Sequence, residues 1–397
     1  MGQCQCKKGA LMERNLDTDA GKEDNLVLHD DEIKKQKATK VKSQKKDILG
    51  KIRQLLRNIG DHLSEEEFHK RLPEDYNQYM IEHPYVGEYD VKEENVVDME
   101  PFQFLNGNLY WGQWNTNGEM SGEGKYYLSD AQVLVEGFWE DGICKMARII
   151  LPEGVYEGEI DDNLFNGNGK MQYKDGRIYE GEWVQGNKEG NGCLSWPDGS
   201  KYWGQFRNDQ INGEGEFLWG NGCSYKGNFV NGSFNGKGTF KNYNGSSYTG
   251  DFSEGLFHGK GKFIWIGENK DNKERYSGDY KYGKKEGNGK YTFPNGDIYE
   301  GEWFENKPHG QGLFETEGKT YKAMWRNGQI AEAPLVEVKE GGDPNEPIRD
   351  DLNFVTKDED IDYKKLLFLD NLTEAMRMNK IIGAYLKPRE NIIDSMM

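Results

Sequence analysis

The sequence predicts a mainly β protein: an elongated, twisted, antiparallel ribbon of β-hairpin repeats with short helices at both ends. Three observations predict it. A Tyr-x-Gly motif with a large apolar residue two positions on starts at Tyr156, Tyr179, Tyr202, Tyr225 and Tyr248, each start 23 residues after the last. A Gly-x-Gly triplet follows each start by about eleven residues, from Gly167/Gly169 to Gly310/Gly312. Asp-Gly or Asn-Gly, at 175–176, 198–199, 221–222, 244–245 and 295–296, stands just ahead of the next Tyr. Equal spacing of one short motif means stacked identical units, each too small to bury its own apolar face.

Composition agrees. The 397 residues include 10 Trp, 22 Tyr, 18 Phe and 51 Gly, against a mean hydropathy of −0.94. A chain rich in rings and glycine suits many short strands that pack through ring faces, whereas a disordered chain would be short of rings. The formal net charge of −18 argues against nucleic acid as a partner. Five scattered cysteines give no disulfide framework, and no histidine stands at zinc-ligand spacing. This suits a reducing compartment. No apolar run approaches the roughly 20 residues of a spanning helix, and no signal-peptide core follows Met1.

Residues 1–33 form the first segment. Gly2 fits N-myristoylation, with Cys6 where the motif prefers Ser or Thr, and Cys4 and Cys6 are placed for palmitoylation beside Lys7 and Lys8. A myristoyl chain alone binds membranes marginally, so a second signal is needed.

Residues 34–60 supply one. Lys34, Lys35, Lys37, Lys40, Lys42, Lys45, Lys46, Lys51, Arg53 and Arg57 stand against a single acid, Asp47. They are the candidate contacts to anionic lipid. Ile48, Leu49, Ile52, Leu55, Leu56 and Ile59 recur at helix spacing. The stripe reads as a membrane-surface or calmodulin-target helix, or equally as a helix packed on the first hairpins. In the lead-in, 61–84, Ser64 and Glu67 form a capping box and Pro73 a break.

The array is assigned to 85–330. Beyond the regular block, copies start at Tyr110, Val135 (degenerate), Tyr276, Tyr299 and Tyr321 (Ala323 replacing Gly), giving ten, or eleven with Tyr85. Gly267 to Lys273 is a polar insertion. In each copy the Tyr, Gly and large apolar residue share one strand face, and the glycine vacancy invites a ring from the neighbouring strand. The Asp-Gly and Asn-Gly pairs predict type I′ turns. Some nineteen strands at about 4.8 Å would reach roughly 90 Å.

These residues resemble a known family. YEGEWVQGNKEGNG from Tyr179 and YEGEWFENKPHGQG from Tyr299 are similar to MORN repeats, over more than half the chain. The family's histidine appears only at His258 and His309, which are expected to cap turns. The resemblance implies scaffolding at membranes or cytoskeleton, with phospholipid binding often proposed. The Glu, Asp and Asn at exposed repeat positions argue against a lipid site within the array.

An acidic linker, 331–360, leads to 361–397, where Leu366, Leu369, Leu372, Met376, Ile381, Ile382 and Tyr385 suggest helices that cap the open edge strand or dock a partner.

No Walker lysine, kinase catalytic loop, nucleophile elbow or HExxH appears. The expectation is a non-enzymatic scaffold without cofactor or metal, tethered to the cytosolic face of a plasma, cortical or ciliary membrane. Anionic lipids and unidentified proteins, cytoskeletal ones among the candidates, are the expected partners. A structural part of an axoneme or cortical cytoskeleton is the alternative, and a regulatory subunit for a phosphoinositide kinase a third.

Overall fold

A computed structural model of the chain describes residues 49–85, 96–266, 274–331 and 336–337. Among these residues there are three helices and one 24-stranded antiparallel sheet. Nineteen strands, β4 (Leu109–Trp114) to β22 (Lys319–Arg326), pair strictly in chain order as a meander. The edge of β4 takes β3 (Phe102–Phe104) and β2 (Val97–Asp98) side by side, and β1 (Gly60–His62) pairs with β3. Tyr85 itself is in no strand, and the rest of the repeat pattern that starts there lies outside the described residues.

The packing unit is ring over glycine: each tyrosine covers the glycine of the neighbouring return strand, as expected, and also the glycine of its own strand. In β8 (Gly154–Asp161) Tyr156 lies over its own Gly158 and over Gly169, the partner of Gly158 on β9 (Leu164–Tyr173). A Cβ built at Gly169 would fall 2.3 Å from the Tyr156 hydroxyl. That hydroxyl donates to the Glu159 carbonyl at 2.9 Å. The same bond recurs from Tyr179 to Glu182, Tyr202 to Gln205, Tyr225 to Asn228 and Tyr299 to Glu302.

Just past each glycine pair the return strand gains two residues. Gly181 faces Gly192, yet Trp183 faces Lys188. The first glycine of each Gly-x-Gly takes a positive φ there, +61° at Gly190, as a bulge requires. The bend carries the next rings over the tyrosine: Tyr179 meets Trp183 edge-to-face at 5.0 Å, and Phe206 of the following repeat at 5.0 Å. A continuous aromatic column results, with Tyr156, Tyr179, Tyr202, Tyr225, Tyr248, Tyr276 and Tyr299 fully buried. Edge-to-face pairs add about 0.5–1.5 kcal/mol beyond area burial, so few aliphatic residues are needed.

The bulge exposes a backbone N–H, and the acidic or amide residue after the motif's glycine accepts from it. Glu159 takes Asn168 N at 2.8 Å, Glu182 takes Asn191 N at 3.0 Å and Gln205 takes Glu214 N at 2.9 Å. Many of the acids along the array are therefore structural.

The turns are distributed differently from the sequence reading. At Asp175-Gly176 only the glycine has positive φ, Gly176 N bonds Tyr173 O, and Tyr173 N bonds Arg177 O. This is a three-residue loop in which the Asp175 carboxylate accepts from Arg177 N at 3.0 Å. The two-residue type I′ turns sit at the opposite ends of the strands, as at Gln185-Gly186 (φ +48° and +82°) and Asn208-Asp209 (+47° and +66°). The histidines do not cap turns: Nδ1 of His258 and of His309 bonds no protein atom, and their rings lie against Tyr282 and Phe304.

At the other edge, β22 is covered by β23 (Gln329–Ile330) and β24 (Val336–Glu337). Part of the stretch read as a linker thus pairs with the sheet. The insertion at Gly267 to Lys273 and the segment 361–397 lie outside the described residues.

Candidate functional site

The candidate site is the amino-terminal end of the array, where helices cover both faces of the first hairpins. Helix α1 spans 49–56. Its Ile52 and Leu56 are buried on the inner face with Val97, Phe102 and Trp114, and Leu49 and Ile59 pack beside them. Of the two readings of this apolar stripe, the structure has the helix docked on the first hairpins. Ile52 and Leu56 are therefore occupied by the array and not free to enter a lipid surface. Leu55, read as part of the stripe, is half exposed.

Lys51, Arg53 and Arg57 stay exposed. Arg53 pairs with Glu100 at 2.6 Å. The Glu100 backbone amide and the Arg53 guanidinium hold that carboxyl below its usual range. Gly2, Cys4, Cys6, Lys34, Lys35, Lys37, Lys40, Lys42, Lys45 and Lys46 lie outside the described residues.

Helices α2 (Glu65–Arg71) and α3 (Glu74–Glu82) cover the outer face. The capping box is present: Glu67 N donates to Ser64 Oγ, and Ser64 N to Glu67 Oε2. These bonds to Ser64 hold the Glu67 carboxyl below its usual range. Pro73 separates the two helices. Phe68, Leu72, Tyr76 and Met80 bury against a cross-strand row of Leu109, Tyr127, Leu134 and Ile150. Phe68 and His69 meet Trp111 edge-on at 5.5 and 5.7 Å.

The end of α3 is fixed by a buried charge cluster. Arg148 donates to Glu136 and to the His83 carbonyl, with Tyr79 and Tyr85 against its guanidinium at 5.4 and 5.1 Å. Lys125 completes it, 3.2 Å from Glu136. On the opposite, inner face the degenerate copy has buried Val135 in the place of Tyr and Ala147 in place of glycine opposite Gly137.

Sequence reasoning missed this outer cover. The signal was there: these outward positions are apolar together in the first copies (Trp111, Tyr127, Leu134, Ile150), whereas in later copies apolar residues there (Ile178, Trp203, Leu218, Ile264, Ile298) are scattered among charged, hydroxyl and amide side chains.

Elsewhere the ionisable residues inside the array are structural. Lys188 takes the place that Phe165 or Ile211 fills in neighbouring repeats, its ammonium 5.5 Å from the Tyr179 and Trp183 rings and 3.3 Å from the fully buried Asp209. Lys285 repeats this among Trp265, Tyr276, Tyr291 and Trp303. Burial pushes the Cys144 thiol up to about 12, leaving it protonated near neutral pH. Among the described residues no group of three His, Cys, Asp or Glu could hold a metal ion, and no helix is long and apolar enough to cross a membrane.

The MORN repeat model matches eight segments: 110–132, 156–176, 179–201, 202–224, 225–247, 248–267, 276–298 and 299–316. The chain is a MORN-repeat protein. The copies at Val135 and Tyr321 fall outside the matched segments, yet both belong to the same MORN sheet.

No curated protein matches the chain. Solved structures that align with parts of it include the TCP domain of SAS-4 from Drosophila melanogaster, in complex with a proline-rich motif of Ana2. It is 11 % identical, covers 42 % of this chain and 90 % of its own, and has a TM-score of 0.21. A second is virginiamycin B lyase from Staphylococcus aureus with quinupristin, 13 % identical, covering 63 % and 87 %, TM-score 0.12. Neither likeness carries an argument.

Proposed function

We propose that this MORN-repeat protein is a non-catalytic scaffold held at the cytosolic face of a membrane by its amino terminus. MORN repeats are found in scaffold and membrane-binding proteins. The observation that carries the finer reading is the docking of α1: the basic segment is joined to the array through buried Ile52 and Leu56 while Lys51, Arg53 and Arg57 face outward. An acyl anchor on Gly2, Cys4 or Cys6 would therefore hold the array close to the surface. The lysines from Lys34 to Lys46 would add about 1 kcal/mol each near an anionic leaflet. The repeat residues support the scaffold part, since the Tyr, Gly, Trp and many acidic positions are consumed by the fold and recognition is left to the outer face.

The test uses full-length, unacylated protein and sedimentation with vesicles. Binding to phosphatidylserine vesicles should fall at least tenfold between about 50 and 300 mM salt as screening sets in. It should fall similarly when Lys51, Arg53 and Arg57 are changed to Glu. Equal binding to neutral phosphatidylcholine vesicles, or indifference to both changes, would remove the basic segment from the account.

A further inference from the structure

Charge is segregated along the outer face. Between β8 and β11 (Asn187–Ser195) that face presents Glu157, Glu159, Glu180 and Glu182 against Lys170. From β14 (Ser224–Val230) to β19 (Lys284–Thr292) the sign reverses. Directly paired residues of an antiparallel ladder share a face, and the registers place Lys226, Thr239, Thr249, Lys262, Ser277 and Lys290 in one row across six strands. Lys237 and Lys260 flank it on one side, Lys241 and Arg275 on the other, all exposed.

Three carboxylates interrupt these strands on that face: Asp251 and Asp279, each bound to a bulge amide and a lysine, and Glu286, paired with Lys281 at 3.2 Å. The row ends on Glu216 and Glu300, paired with Lys226 and Lys290. Small hydroxyl side chains between the cations leave a groove of about 670 Å³ over Gly261, Gly278, Gly289 and Gly301.

We infer that this groove receives the chain's own acidic segment, residues 340–362. Three observations select this occupant. In a chain of net charge −18 this is a basic stretch of face that no other described element covers, and 340–362 carries nine carboxylates against Arg349 and Lys357. In sequence the segment begins three residues after the end of β24, which is paired on β22 at the same end of the array. It is also long enough. At about 4.8 Å per strand, β19 is about 14 Å from β22 and β14 about 38 Å, within reach of roughly twelve extended residues at about 3.3 Å each. Glu340 to Asp351 is a stretch of that length. The basic face is thereby covered from within, and an acidic partner would bind it by displacing the segment.

The test is zero-length carbodiimide coupling of the full chain, mapped by mass spectrometry on a mixture of isotopically light and heavy protein. Lys237–Asp251 and Lys260–Asp279, at 2.7 and 2.6 Å, are internal controls. The expected result is intramolecular amides joining Lys262 or Lys290 to carboxylates between Glu340 and Asp351. Their yield should drop at least tenfold at these unaltered lysines in a Lys226→Glu, Arg275→Glu variant, or in 0.5 M salt. Control amides without these links would overturn the inference. So would links found only between light and heavy copies, or links that survive the charge reversal undiminished.

Discussion

A single methyl group decides whether a repeat closes. The tyrosine ring spans two facing glycines; a Cβ on the first would run into the opposing backbone and the tyrosine hydroxyl, and a Cβ on the second into the ring itself. Gly169→Ala should destabilise the array by about 3 kcal/mol or more, at or above the usual overpacking range. Gly296→Ala meets nothing within 4 Å and is strained only by its φ of +95°, so it should cost about 1 kcal/mol. Urea midpoints of the two variants would check the ranking.

The buried pair at Lys188 and Asp209 makes an opposite point about polar residues in cores. Asp209→Ala leaves a buried ammonium without its carboxylate and should cost about 3–5 kcal/mol, whereas Lys188→Ile with Asp209→Asn should be close to neutral. If the double variant were as damaged as the single one, the cation–ring contacts would be the larger contribution.

Tyrosine burial also sets an alkaline limit. Desolvation raises Tyr156, Tyr179, Tyr202, Tyr225 and Tyr299 well above their ordinary value of 10.0. Above that pH the unfolded chain releases protons that the folded chain keeps, so stability falls as pH rises, by about 1.4 kcal/mol per unit per tyrosine. Below it these groups contribute no pH dependence. Sheet circular dichroism and tyrosinate absorbance should therefore change together in a narrow window above pH 10. Tyrosinate appearing at pH 10 with the sheet intact would contradict the packing described.

At the level of elements, the 23-residue period, the strand count and the capping box at Ser64 were legible because each depends on local residue spacing. The turn types were not. Asn-Gly and Asp-Gly satisfy both the type I′ turn and the three-residue loop with one left-handed glycine, and only the register beyond the bulge separates them. Helices α2 and α3 were legible as helices but not as a cover, since their partners are four apolar outward positions dispersed over 42 residues, from Leu109 to Ile150. Phe68→Ala should cost about 3–5 kcal/mol locally and raise amide exchange in α2 and α3 while leaving the strands after β8 protected, because each repeat contacts only its neighbours. Uniform loss of protection along the array would refute that separation.

For the whole molecule, the proposed anchor and the array meet at α1. The candidate lipid-attachment residues could be read only as a motif, and the described structure begins after most of the basic run. What it adds is that the run ends in a helix fixed to the first hairpins, so the array's orientation follows that of the basic segment. The most direct test is flotation of cell membranes carrying the wild type, Gly2→Ala, or Cys4→Ser with Cys6→Ser, with metabolic acyl labelling. The account predicts that the wild type labels and floats, resists high salt and yields to detergent, while the variants lose label and turn soluble. A wild type that takes no label and stays in a detergent-resistant pellet would contradict the tether and leave docking to the cytoskeleton in its place.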